Sequence, residues 1–208
     1  MNRESLRTIL SKYYEDPVSR FFDALGFSPN GVTMLGLLIV LVSSIFISLG
    51  SLLVGGVLMF AGAALDLIDG GLARRKGMVS NFGALLDSVI DRIQEALVLL
   101  GILVHYINKD PEPVFGISSI DVIGPILCFT AFVGSVMVSY LRARSEGLGI
   151  DCKIGIMTRP ERVFALGMGL IISFWIPTFL ILVLATLTVL GLFTTFQRLY
   201  YASAKFEE

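Results

Sequence analysis

Long apolar runs divided by short polar breaks dominate this chain, and from about residue 30 onward they recur at membrane length. Hydropathy predicts six spanning segments at about 31–49, 52–73, 81–107, 120–145, 160–176 and 178–200, close to the roughly 20 residues needed to cross a hydrocarbon core. Ahead of them, residues 3–25 set Leu6, Ile9, Leu10, Tyr13, Tyr14, Val18, Phe21, Phe22 and Leu25 at roughly helical spacing among charged residues. That pattern predicts an amphipathic helix on a membrane surface, interrupted at Pro17; an ordinary helix packed on its own protein would read the same way. The expected fold is all-α: a polytopic membrane protein with six transmembrane helices and an N-terminal amphipathic juxtamembrane helix, divided into residues 1–27 and 28–208.

Composition strengthens this reading. Over 208 residues the chain is 55% hydrophobic with a mean hydropathy of +0.82, against about 45–50% apolar content in soluble domains. The net charge of -1 conceals an uneven distribution. One set of helix ends and connections carries Arg74, Arg75, Lys76, Arg142, Arg144, Lys153, Arg159, Arg162, Arg198 and Lys205, with Arg3, Arg7, Lys12 and Arg20 upstream, while the opposite connections hold only Lys109. The excess of cations on one side predicts a multi-pass plasma-membrane protein with both termini cytoplasmic. No nucleic-acid partner is expected. Cys128 and Cys152 form no metal or redox motif, and His105 is the only histidine, so thiol and imidazole chemistry are set aside.

Four carboxylates change the picture. Asp66, Asp69, Asp87 and Asp91 lie inside the second and third predicted spans, where each carries an insertion cost of roughly 2.5–3.5 kcal/mol. A compensating cation or a polar cavity is required. Asp66 and Asp69 are spaced i,i+3 and Asp87 and Asp91 i,i+4, so each pair projects from one helix face, and two facing pairs would form an all-oxygen pocket. Such a pocket suits a hard divalent ion, Mg²⁺ or Mn²⁺. The charge asymmetry puts this pocket in the cytoplasmic half of the bilayer.

The full pattern is Asp66-x-x-Asp69-Gly70-x-x-Ala73-Arg74, eight further residues, then Gly83-x-x-x-Asp87-x-x-x-Asp91. It resembles, at every defining position, the signature of the CDP-alcohol phosphatidyltransferase family. The resemblance implies a membrane enzyme that moves a phosphatidyl-type group from a CDP-linked lipid to an alcohol and releases CMP. It further implies that Asp66, Asp69 and Asp87 anchor two metal ions, with Asp91 contacting the second and acting as general base on the incoming hydroxyl. Gly70, Ala73 and Gly83 would leave room for the nucleotide, and Arg74 would offer donors to a phosphate. Upstream, Asn30 and Thr33 resemble the nucleotide side of the family's first helix, although Ser28 or Asn30 could simply cap that helix behind Pro29. The family also implies a homodimer.

The acceptor is read from arginines. Arg142, Arg144, Arg159 and Arg162 meet at one predicted mouth, with Arg198 at the matching end of the last span, and guanidinium forks suit a phosphorylated polyol. The stretches SYLRAR, RPER and FQRLYYA resemble the branch that makes phosphatidylinositol phosphate or archaetidylinositol phosphate. That resemblance implies CDP-diacylglycerol or CDP-archaeol as donor, inositol 1-phosphate as acceptor, and Arg142, Arg159, Arg162 and Arg198 at the acceptor's phosphate. Glycerol 3-phosphate, the acceptor of a phosphatidylglycerophosphate synthase, is the alternative. A divalent-cation transporter is the alternative from another class, against which stand the intact motif and the lack of a convincing internal repeat.

Overall fold

The computed structural model describes residues 14–108 and 123–206. Seven α-helices and no strand occur among them: α1 Asp16–Ala24, α2 Pro29–Ser48, α3 Leu52–Lys76, α4 Asn81–Asn108, α5 Ile123–Gly147, α6 Arg159–Ile172 and α7 Phe179–Phe206. Lys109 and the loop through residue 119, like the predicted helical stretch before Tyr14, lie outside the described residues.

Local chemistry sets the boundaries. Ser28 caps α2 by accepting the Gly31 N–H at 3.1 Å, and Pro29 opens the helix where a missing N–H removes nothing from the ladder. Gly77 ends α3 at φ 64°, a left-handed turn that most side chains resist. Pro17 falls in the first turn of α1 instead of breaking it.

Packing follows the small residues. The helix α2 lies against α3 and α4, α5 against α4 and α7, and α6 against α3 and α7. At the α2–α3 crossing a Cβ on Gly36 would stand 3.2 Å from the Gly62 carbonyl, and one on Gly62 would stand 3.0 Å from the Gly36 carbonyl, so the two backbones nearly touch. A core of Val40, Ile47, Met59, Val98, Ile102, Leu166, Leu170 and Leu184 ties the helices of the bundle together. A smaller cluster of Phe22, Val32, Ile68 and Leu72 docks α1 on α2 and α3. Its polar edge is ionic: Arg75 Nε donates to Asp23 at 2.9 Å, Lys76 Nζ lies 3.2 Å from the same carboxylate and donates to the Phe27 carbonyl at 2.7 Å, and Arg74 pairs with Glu15.

Among the described residues four helices, α2, α3, α5 and α7, are long and apolar enough to cross a membrane. The six expected spans resolve unevenly against this measure. The helix α4 has 28 residues but carries Asp87, Asp91, Arg92 and Glu95, and α6 has only 14 residues. At 1.5 Å per residue, α6 is about 21 Å long, shorter than the roughly 30 Å hydrocarbon core. The expected segment 160–176 runs past its end because Ser173–Ile176 is apolar enough to extend a hydropathy window while its backbone turns.

Candidate active site

The polar centre forms where α3 and α4 face each other near the α1 end of the bundle. The i,i+3 and i,i+4 spacings direct all four aspartates inward, and oxygens of Asp66, Asp69 and Asp87 lie within 4.8 Å of one another. Asp69 is 7% exposed and accepts a 2.6 Å hydrogen bond from the Thr33 hydroxyl on α2. Asp91 stands outside this trio, facing two guanidinium groups. Arg159 Nη2 is 2.7 Å from its Oδ1, an ionic contact without hydrogen-bond geometry, and Arg92 Nη1 is 3.6 Å from its Oδ2. Arg159 also donates from Nη1 to Asp66 Oδ2 at 2.6 Å and from Nη2 to Gln94 Oε1 at 3.3 Å.

Carboxylates outnumber the guanidinium groups that touch them, and Asp66 Oδ1 is buried with no hydrogen-bond partner. Three clustered carboxylates from two helices, one with an unengaged oxygen, fit a hard divalent cation. The Thr33 hydroxyl, itself back-bonded to the Pro29 carbonyl at 3.2 Å, would orient one of those ligands.

Two cavities flank the cluster. One, of about 310 Å³, is lined by Asn30, Thr33, Gly70, Ala73, Arg74 and Gly83 together with Asp69 and Asp87. All six positions expected at the donor thus open on one space with two of the carboxylates. A Cβ on Gly83 would stand 3.2 Å from Ser80 Oγ and 3.8 Å from Asn30 Oδ1, narrowing the floor of that space. The second cavity, also about 310 Å³, lies between α3 and α6, lined by Phe60, Ala63, Leu67, Val163 and Phe164, with Asp66 and Arg159 as its charged members.

A model of the CDP-alcohol phosphatidyltransferases matches residues 27–203. The chain belongs to this family. Among relatives of this phosphatidyltransferase, the archaetidylinositol phosphate synthase of Pyrococcus horikoshii is 34% identical over 192 residues, covering 91% of each chain. The crystal structure of Mycobacterium tuberculosis phosphatidylinositol phosphate synthase with CDP-DAG bound superposes with a TM-score of 0.78 at 28% identity, covering 89% of this chain and 92% of that one. A second structure of the same mycobacterial enzyme, in complex with manganese and citrate, also gives 0.78 at 28% identity, covering 89% and 87%.

The four expected acceptor arginines occupy different settings in this phosphatidyltransferase. Arg142 is half-exposed and pairs with Glu146 at 2.9 Å. Arg159 reaches the carboxylates. Arg198 is 3% exposed and donates to the Ile154 and Val138 carbonyls at 2.8 and 2.5 Å, stitching the 148–158 connection to α5 and α7. Arg162 has no free surface: its side chain is 1% exposed and its Nε and Nη2 are spent on Glu95 at 2.7 and 2.9 Å. Position 162 lies one helical turn along α6 from Arg159 and faces α4, where Glu95 receives its fork. Gln94 and Glu95 did not figure among the expected site residues. The signal for Glu95 was its place in the i,i+4 ladder Asp87, Asp91, Glu95; Gln94 carried none.

Proposed function

We propose that this protein transfers a phosphatidyl or archaetidyl group from a CDP-linked lipid to inositol 1-phosphate, releasing CMP. The observation that carries the reading is the convergence of the six motif and α2 residues, Asp69 and Asp87 on one cavity, in a chain similar over most of its length to enzymes named for inositol-phosphate products. Asn30, Thr33, Gly70, Ala73, Arg74 and Gly83 cradle the CDP end of the donor. Asp66, Asp69 and Asp87 would anchor two divalent ions, Mg²⁺ or Mn²⁺, with Asp91 contacting the second, and metal bound there would supply charge neutralisation at the pyrophosphate and the leaving CMP.

The chain's own groups do the rest. Asp91 takes the proton of the acceptor hydroxyl, because it lies one turn beyond Asp87 and outside the ligand trio. Arg142 at the mouth, Arg159 between Asp66 and Asp91, and Arg162 and Arg198 behind them receive the acceptor's phosphate. Arg198 holds the connection that shapes that mouth. Among the described residues no side chain is placed as a covalent nucleophile, so the hydroxyl attacks the lipid-side phosphorus directly, with both substrates bound.

The bilayer supports this arrangement. The helices α4 and α6 join the four long apolar helices as spans, the charged face of α4 turned to the polar centre and the short α6 meeting the interface through Arg159. The helix α1 lies along the surface, the site opens to the cytoplasm, a reading the clustered basic helix ends support, and two copies associate as a dimer. Residues 28–208 then form the catalytic membrane domain, with residues 1–27 as its juxtamembrane arm. The test is CMP release from a CDP-lipid with Mn²⁺ and, in parallel, inositol 1-phosphate, glycerol 3-phosphate or free inositol. Release with inositol 1-phosphate alone supports the reading; release with glycerol 3-phosphate in its place refutes it.

A further inference from the structure

Three basic residues in succession close α3, and α1 engages every one of them. Asp23 holds Arg75 and Lys76 near one end of α1, and Glu15, eight residues earlier, holds Arg74 at the other. Eight residues of helix are about 12 Å, so the two carboxylates reach α3 at separate points. Arg74 differs from its two neighbours in that it lines the donor cavity.

A glycine shapes the approach of Glu15. Its side chain crosses α3 directly over Gly71, where a Cβ would stand 2.6 Å from Glu15 Cγ and 2.6 Å from its Oε1. A larger residue at 71 would displace that side chain. The Arg74 guanidinium then spans two neighbours: Nη2 pairs with Glu15 Oε1, and Nη1 lies over Gly70, 3.5 Å from where a Cβ there would be. Gly70 lines the same cavity beside Asp69. One edge of the fork is thus engaged by α1, while the other stands at the cavity wall.

Fold stability gives this pair little reason to exist. Arg74 is 61% exposed along its side chain, and an ion pair so open to solvent contributes little. Docking of α1 has other supports, since Phe22 packs with Val32, Ile68 and Leu72, and Asp23 makes its own ionic contacts. Binding supplies a reason. A free arginine at a helix end has many rotamers, and a ligand that recruits it must first order it. Glu15 orders it beforehand. Its own backbone is tied down, the Glu15 carbonyl accepting the hydroxyl of buried Ser19 at 2.5 Å.

We propose that Glu15 is a positioning residue for the donor: from α1 it holds the Arg74 fork at the cavity wall, so that the remaining N–H groups meet a phosphate of the CDP end, and Gly71 is the gap through which it reaches. The proposal rests on the donor-binding reading given above. It makes α1 part of the donor site as well as a helix at the membrane surface.

Glu15→Gln in the full-length protein keeps the shape of the side chain and removes its charge. CDP affinity in the presence of Mn²⁺ is measured by isothermal titration calorimetry, together with kcat, the KM values for CDP-lipid and inositol 1-phosphate, and the thermal unfolding midpoint. CDP binding is expected to weaken, and the CDP-lipid KM to rise, by about two- to tenfold, the scale of one rotamer-rich side chain left to be ordered on binding. The acceptor KM and the unfolding midpoint should change little. Gly71→Ala should reproduce the donor effect by displacing Glu15, and should add nothing in a Glu15→Ala background, where the obstructing atoms are gone. Neither change should matter in an Arg74→Gln background, because both act through that fork. A folded Glu15→Gln protein with wild-type or tighter CDP affinity, or a loss of equal size without Arg74, would overturn the proposal. Should Glu15→Gln not fold, Gly71→Ala with and without Arg74 carries the same comparison. A wild type that binds no CDP and releases no CMP refutes the donor reading along with this one, whereas a wild type that does both beside an unaltered Glu15→Gln refutes the role of Glu15 alone.

Discussion

Replacing Thr33 with valine removes one oxygen from beside the carboxylate trio and almost nothing else. Thr33 is 4% exposed, and its hydroxyl donates to Asp69 Oδ2 at 2.6 Å. Valine keeps the branched shape, so no cavity opens. The loss is a hydrogen bond to a charged acceptor, worth roughly 1.5–3 kcal/mol, together with the restraint on the rotamer of a metal ligand. At 1.4 kcal/mol per decade this corresponds to about 10- to 100-fold, the range found when groups behind metal ligands are removed. Mn²⁺ titration of the purified protein, followed by electron paramagnetic resonance, should show Thr33→Val weaker than wild type by that factor. CMP release should require correspondingly more metal, and Thr33→Ser should restore both. Unchanged Mn²⁺ affinity in a folded Thr33→Val protein would refute the claim that this hydroxyl orients a ligand.

Three further outcomes follow from particular contacts. Asp91→Asn should lower CMP release by about 10²- to 10⁴-fold, the usual contribution of a general base, while Mn²⁺ binding at Asp66, Asp69 and Asp87 persists; substantial residual turnover would remove Asp91 from that role. Gly101→Ala should lower the thermal unfolding midpoint, because the new Cβ would stand 2.6 Å from the Ser44 carbonyl oxygen and 2.8 Å from its hydroxyl, an overpacking worth about 1–3 kcal/mol; an unchanged midpoint would contradict the close approach of α2 and α4. The hydrogen bonds from Arg75 and then Lys76 hold the Asp23 carboxyl below its ordinary 3.8, so its contribution to docking α1 is full above that value and is lost as pH falls through the lower folded value. Protection factors of the α1 amides, corrected for the intrinsic pH dependence of exchange, should therefore hold at neutral pH and fall only in acid, whereas a fall near pH 7 would contradict the assignment.

The aspartates were legible because their spacing fixes a helix face and their cost in apolar sequence demands a reason. The donor-side residues were legible through the motif, and they share a cavity because α2, α3 and the start of α4 meet there. The partner of Thr33 was not legible: a hydroxyl on the inner face of α2 suits a nucleotide or a carboxylate equally, and only the α2–α3 crossing at Gly36 and Gly62 brings it to Asp69. The arginines were harder still. RPER reads as two cations at one mouth, yet three residues along a helix carry Arg162 inward by most of a turn, where Glu95 is waiting on a neighbour that local sequence cannot name. The length of α6 was hidden for a related reason, since hydropathy sums apolar residues without seeing that the backbone turns after Ile172.

The most direct measurement follows labelled inositol 1-phosphate into the lipid phase in the presence of a CDP-lipid, with and without Mn²⁺, in the wild type and in Asp69→Asn. Metal-dependent incorporation matched by CMP release, and lost in Asp69→Asn, is the predicted result. CMP release without incorporation, or incorporation that survives both metal removal and Asp69→Asn, would contradict the assignment of this carboxylate cluster to inositol-phosphate transfer.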